Sequence, residues 1–192
     1  CRLASSHSFC MRPSSPPGPG TPYPESPGMR KLLLLLLLTL SASAQPRTPR
    51  EFFQLLPSQY FTVENGSKEA FLKRQVLVDD PANGYLSASG DAGQGGFVLA
   101  LFKRSNGSYL VGLNSNGEMW DKYYILQYAN GKWRDVSAQV IPEYSKDKAY
   151  RFPRQGTSVV VEQLRFEEGV PMPTGKKLYT LAWNRNKFVI SR

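Results

Sequence analysis

The stretch "EYSKDKAYRFPRQ", residues 143–155, interleaves cations with aromatic rings. Lys146, Lys148, Arg151 and Arg154 fall within nine residues, beside Tyr144, Tyr150 and Phe152. Charges that close act together within a Debye length of roughly 8 Å at physiological salt. Rings between them offer flat faces for stacking. The pattern suits an anionic polymer, with Tyr144, Lys146, Lys148, Tyr150, Arg151 and Arg154 as the candidate binding set. A long exposed connection between strands is the competing reading. Trp120, in "GEMWDKYY", follows a turn signal and joins the set as a ring able to stack on a sugar. A core Trp is the alternative there.

Other chemistry is thinner. Asp79-Asp80 and Glu167-Glu168 are adjacent carboxylates. Neighbours on a strand point to opposite faces, so neither pair is a ready acid/base couple. A carboxylate-dependent glycan hydrolase would need a pair assembled by the fold. Asp79, Asp80, Asn83 and Asp91 supply oxygens that calcium favours, but not at EF-hand spacing. No metal and no cofactor are expected. The Gly-rich "SGDAGQGGF", residues 89–97, lacks the Lys-Ser/Thr of a phosphate loop and reads as a connection. Asn65-Gly66-Ser67 and Asn106-Gly107-Ser108 fit the N-glycosylation sequon.

Both cysteines, Cys1 and Cys10, and the one histidine, His7, precede Met29. From Met29 the chain reads as a secretory signal. Arg30 and Lys31 open it, Leu32 to Leu40 form an apolar run, and small residues lead to Ala42 and Ala44. The run is about half the roughly 20 residues that a spanning helix needs. Cleavage is expected between Ala44 and Gln45. Residues 1–28, rich in Pro, Gly and Ser, read as a disordered or non-native leader. Residues 45–192 then make one β-rich domain, exported to the periplasm or beyond the cell, with no transmembrane segment. That part has neither Cys nor His, so disulfides, ordinary zinc or copper sites and His-based nucleophile systems are not expected in it. Without the first 44 residues, Lys plus Arg falls from 24 to 20 and Asp plus Glu from 15 to 14, a net charge of about +6. For an exported protein this suggests anionic surface polymers or a protein partner rather than nucleic acid.

The elements are written in the turns. Asn-Gly occurs five times, at 65–66, 83–84, 106–107, 116–117 and 130–131. Both residues tolerate the positive φ of tight hairpin turns. A turn at Asn130-Gly131 places Tyr128 opposite Trp133. One at Arg185-Asn186 places Trp183 opposite Phe188. One at Asn106-Gly107 places Arg104 opposite Tyr109. Strands are expected near 75–79, 84–89, 96–103, 108–114, 123–129, 132–137, 157–163, 177–183 and 187–191. "FVLALF", residues 97–102, is apolar on both faces and predicts a central strand covered on both sides. Thr48-Pro49-Arg50-Glu51 is a capping box opening a short helix. Ser67 to Gln75 fits either a second helix or a lead-in to the first strand. The fold class is therefore mainly β: an antiparallel meander sheet or sandwich of eight or nine strands, with a short N-terminal helix packed on it.

"NGYLSASG", "ALFKRSNGSYLVGLN" and "YANGKWRDVS" resemble segments of uncharacterised exported bacterial β-rich proteins, over about residues 75–140. The resemblance brings no activity with it. The expected function is an exported, non-enzymatic binding or interaction domain for an anionic polymer or a protein partner. The alternatives are the glycan hydrolase and an inhibitor of a secreted enzyme.

Overall fold

Among the described residues, ten strands form two antiparallel meanders. The first sheet runs in the order β1 (Val76–Asp80), β2 (Tyr85–Ala88), β3 (Phe97–Lys103), β4 (Tyr109–Gly117), β5 (Trp120–Ala129) and β6 (Lys132–Asp135). The second runs from β7 (Lys148–Arg151) through β8 (Ser158–Glu167) and β9 (Val170–Trp183) to β10 (Phe188–Ser191). Among the described residues there are also three short helices, α1 (Pro49–Leu55), α2 (Lys68–Gln75) and α3 (Ser137–Val140). The computed structural model describes residues 45–64, 66–90, 95–117 and 120–191, apart from the Trp120 side chain. These belong to one compact unit. Ala44 and the expected signal segment lie outside the described residues; Gln45 is exposed. Among the described residues, no helix is long and apolar enough to cross a membrane.

The alternation of β3 decides the layering. Phe97 and Leu99 face one way, into a core with Phe52, Phe53 and Leu56 of the α1 segment and Phe71 and Leu72 of α2. Ala100 and Phe102 face the other way, into a core with Val159, Val161, Leu181 and Phe188 of the second sheet. The double cover expected for "FVLALF" is thus helices on one face and a second sheet on the other. The helix side is built on rings. Phe53 stacks on Phe97 with centroids 4.3 Å apart, and Phe61 and Phe71 close around them. The Thr48 capping box is formed: Thr48 Oγ1 accepts from the Glu51 N–H, and the Glu51 carboxylate accepts from the Thr48 N–H. Residues 68–75 are a helix, capped by the Ser67 hydroxyl.

Two tryptophans peg the hairpins to their neighbours. Trp133 faces Tyr128, as the Asn130-Gly131 turn requires, and its Nε1–H donates to the Leu55 carbonyl at 2.9 Å. Trp183 faces Phe188, and its Nε1–H donates to the Lys103 carbonyl at 2.8 Å. Asn130 and Gly131 both take positive φ, 52° and 74°, the two-residue turn that suits twisted strands.

Three expectations change. Tyr109 lies opposite Lys103, not Arg104. The Gly107 N–H donates to the Arg104 carbonyl and the Arg104 N–H to the Ser108 carbonyl, with Gly107 at φ 83°. A three-residue turn with a left-handed glycine therefore replaces the two-residue one and moves the register by one. Residues 148–151 are a strand, β7, rather than a connection. Finally, β8 and β9 extend to a hairpin tip at Glu168-Gly169, so strands continue through Pro171 and Pro173. Those prolines lie on a stretch of β9 that β10, paired only with Thr180–Trp183, leaves open. There the missing N–H breaks no ladder and blunts the edge.

Candidate functional site

β7 splits the basic aromatic stretch into residues that face solvent and residues that do not. Tyr150 is 1 % exposed, and its hydroxyl donates to the Ser145 carbonyl and accepts from the Ser145 N–H. Phe152 is also buried, its ring edge-on to Phe102. Both rings belong to the core, so neither offers a free face. Arg151 pairs with the buried Glu162 carboxylate, and Arg154 pairs with Asp80 at 3.0 Å. Arg151 ties β7 to β8, Arg154 ties the loop after β7 to the end of β1, and neither lines the cleft described below.

The remaining residues of the stretch converge. Glu143 takes φ 54° and turns the chain back after α3. Tyr144 then stacks on Tyr150, centroids 5.7 Å apart, and its hydroxyl reaches the Tyr123 carbonyl at 3.4 Å. Lys148 donates from Nζ to the Glu143 carbonyl and to the Tyr179 hydroxyl, each at 3.0 Å. Lys146 is exposed and makes no hydrogen bond or ion pair among the described residues. Tyr144, Lys146 and Lys148 form one wall of a cleft of about 350 Å³, with Tyr150 among its lining. That volume falls near the lower end of the roughly 300–1,000 Å³ of small-ligand sites.

The opposite wall comes from β5: Asp121, Lys122, Tyr123 and Tyr124. Sequence reasoning missed these residues, although "DKYY" follows directly on the Trp120 that it chose. Trp120 itself opens β5 opposite Gly117. The cleft exists because β6 is short. It pairs only with Leu126–Ala129 and leaves the rest of the β5 edge without a strand. Past Asp135 the chain turns away: the Asp135 carboxylate accepts from the Ser137 N–H at 2.9 Å and from the Ser137 hydroxyl at 2.6 Å. The same hydroxyl accepts from the Ile125 N–H at 2.7 Å. The strand expected over 132–137 therefore ends at Asp135, where this Asx turn takes over.

Charge in the cleft is mixed. Burial raises the Asp121 carboxyl above its ordinary value, against a hydrogen bond from Tyr123 and the nearby Arg151 charge. Burial likewise raises the phenols of Tyr123, Tyr124 and Tyr144, which stay protonated and keep their O–H donors. Asp121 and Asp135 are the two carboxylates of the lining. Asp135 lies opposite Leu126, five residues along β5 from Asp121. At 3.3–3.4 Å per residue this separates their backbones by about 17 Å. A glycosidase pair needs roughly 5–10 Å. Of the other acids singled out in the sequence, Asp79 pairs with Arg50, Asp80 accepts from Asn83 and Arg154, and Glu167 pairs with Arg165. Asp91 lies outside the described residues.

No family model, curated protein or solved structure matches this chain. What the cleft takes has to be read from its own geometry.

Proposed function

We propose that this is a non-enzymatic binding domain, exported after removal of residues 29–44, that holds a segment of an anionic polymer in the cleft beside β5. One observation carries the reading: the fold brings Tyr144, Lys146 and Lys148 to one wall, facing Tyr123 and Tyr124 on the other. Lys146 supplies a cation with no ion pair among the described residues, and Tyr124 a phenol that stays protonated near neutrality. The two carboxylates of the lining, Asp121 and Asp135, are outnumbered by its three lysines, Lys122, Lys146 and Lys148. The net charge of about +6 over residues 45–192 draws such a ligand in.

The test is retention on immobilised alginate, heparin and poly-L-glutamate. Retention at low salt is expected, falling as salt rises. Lys146→Glu should weaken it about twofold to fivefold, the scale of one exposed charge contact. Lys132→Glu, an equal charge change on the β5–β6 hairpin, should weaken it less. Equal loss in both variants would reduce the effect to net charge, and no retention on any column would end the reading.

A protein partner, including a secreted enzyme that this domain inhibits, is the second reading. It is favoured by the β8–β9 hairpin, where Phe166, Met172 and Leu178 are 55 %, 42 % and 41 % exposed. On that reading, Phe166→Ser with Met172→Ser abolishes inhibition of a panel of secreted glycosidases and proteases, and leaves retention on the acidic columns unchanged.

A further inference from the structure

The wall of the cleft formed by β5 is also an open sheet edge. The Ile125 N–H donates to Ser137 Oγ, and the Ile125 carbonyl accepts from the Val136 N–H at 2.8 Å. Ile125 therefore directs both backbone groups away from β4. In an antiparallel ladder this direction recurs at every second residue. Tyr123 and Asp121 share it, and the hydroxyl of Tyr144 on the Tyr123 carbonyl agrees. No strand among the described residues pairs with this side of β5 between Trp120 and Ile125. Asp121 and Tyr123 thus present N–H and C=O groups to the cleft at the spacing of a missing strand. Six residues of edge span about 20 Å.

We infer that the cleft takes an extended acidic polypeptide, which adds to the β5 edge as a short antiparallel or parallel strand. This rests on the reading of the cleft as the ligand site and names its polymer. A polysaccharide has no amide ladder to match Asp121 and Tyr123, whereas a peptide strand does. Alternate side chains of the added strand meet the two sides of β5: Lys122 and Tyr124 on one, Tyr144, Lys146 and Lys148 on the other. Lys146, exposed and without an ion pair among the described residues, selects an acidic side chain. The Tyr144 hydroxyl marks the place where the ligand N–H bonds to the Tyr123 carbonyl. At 3.4 Å its own bond is long, so a better-placed donor displaces it.

The probe is a capped peptide of alternating Glu and Thr, ten residues long, titrated into the domain 45–192. Its partner is the same peptide with N-methyl groups on every second residue, made in both phases. Methylation removes the ligand N–H donors and keeps every charge. The expected result is binding by the parent peptide, slowed hydrogen exchange at the Tyr123 amide, and about tenfold weaker binding in at least one methylated phase. Tyr144→Phe keeps the ring on Tyr150 and removes the competing hydroxyl, so it should bind the parent peptide more tightly. Equal affinity for parent and methylated peptides, with no protection of Tyr123, would overturn strand addition while leaving the cleft as an anion site. Binding of alginate or heparin in preference to the peptide would overturn it in favour of a polysaccharide. Failure of every acidic probe to bind would remove the cleft reading as well.

Discussion

Ser137→Ala removes the group that ends the β5 ladder. Ser137 is 1 % exposed, and Ile125 is fully buried. The Ser137 hydroxyl accepts from the Ile125 N–H at 2.7 Å and donates to Asp135 at 2.6 Å. Alanine leaves the Ile125 N–H without its partner in a place that water reaches poorly, which costs about 1–3 kcal/mol. The loss at Asp135 is smaller, because its carboxylate keeps the Ser137 N–H at 2.9 Å. A total of about 2–3 kcal/mol is expected, a large part of the roughly 5–15 kcal/mol of a typical domain. For a domain of this size that lowers Tm by about 4–12 °C. Urea unfolding followed by tryptophan fluorescence reads it as a lower midpoint at constant slope. Ser105→Ala, which removes an exposed hydroxyl bonded to Asn186, is the control and should cost less than about 0.5 kcal/mol. A Ser137→Ala loss no larger than the control would show that the Ile125 N–H has another partner. The explanation of why β6 stops, and hence why a cleft exists, would then fail.

Three further outcomes follow from the packing and the charges. Gly112→Ala puts a methyl group 2.8 Å from the Phe152 ring and 2.9 Å from the Phe102 ring, so it should destabilise by about 1–3 kcal/mol in the same unfolding assay. Burial raises the folded-state pKa of Asp121, so its ionised form opposes folding once pH passes the ordinary carboxylate range. Asp121→Asn should therefore raise the urea midpoint at pH 7 and leave it unchanged near pH 3; a lower midpoint at pH 7 would contradict this. Asp80 has the opposite sign: hydrogen bonds from Asn83 and then Arg154 hold its carboxyl below the usual range. The stability it contributes is present at neutral pH and lost as pH falls through that lowered value, so Arg154→Gln should cost more at pH 7 than at pH 2.

The parts of the fold legible in the sequence are those fixed by neighbours along the chain. Asn130-Gly131 dictates its own turn and thereby sets Tyr128 against Trp133. Thr48 and Glu51 satisfy each other across one helical turn. The register at Asn106-Gly107 was harder, because a left-handed Gly107 serves both a two-residue and a three-residue turn. Asn116 shows the same limit. It marks no turn; its side chain accepts from the Gly96 N–H, and a Cβ on Gly95 would lie 1.8 Å from its carbonyl oxygen.

The site was half legible for a related reason. Composition singled out residues 143–155, but only pairing with β8 shows that Tyr150 turns inward and that Arg151 meets Glu162. Glu162 is eleven residues away, and Asp80, the partner of Arg154, is seventy-four. Charge patterns along a chain carry no sign of such distant partners. The β5 wall was invisible for another reason: an edge is defined by the strand that is missing from it.

The most direct test of the cleft is a backbone amide shift map of ¹⁵N-labelled domain titrated with oligoglutamate at low salt. Binding at the cleft predicts shifts at residues 121–124 and 144–148 that saturate together, with the β8–β9 hairpin from 165 to 178 unmoved. Saturating shifts on that hairpin, or changes scattered over exposed lysines without saturation, would contradict it.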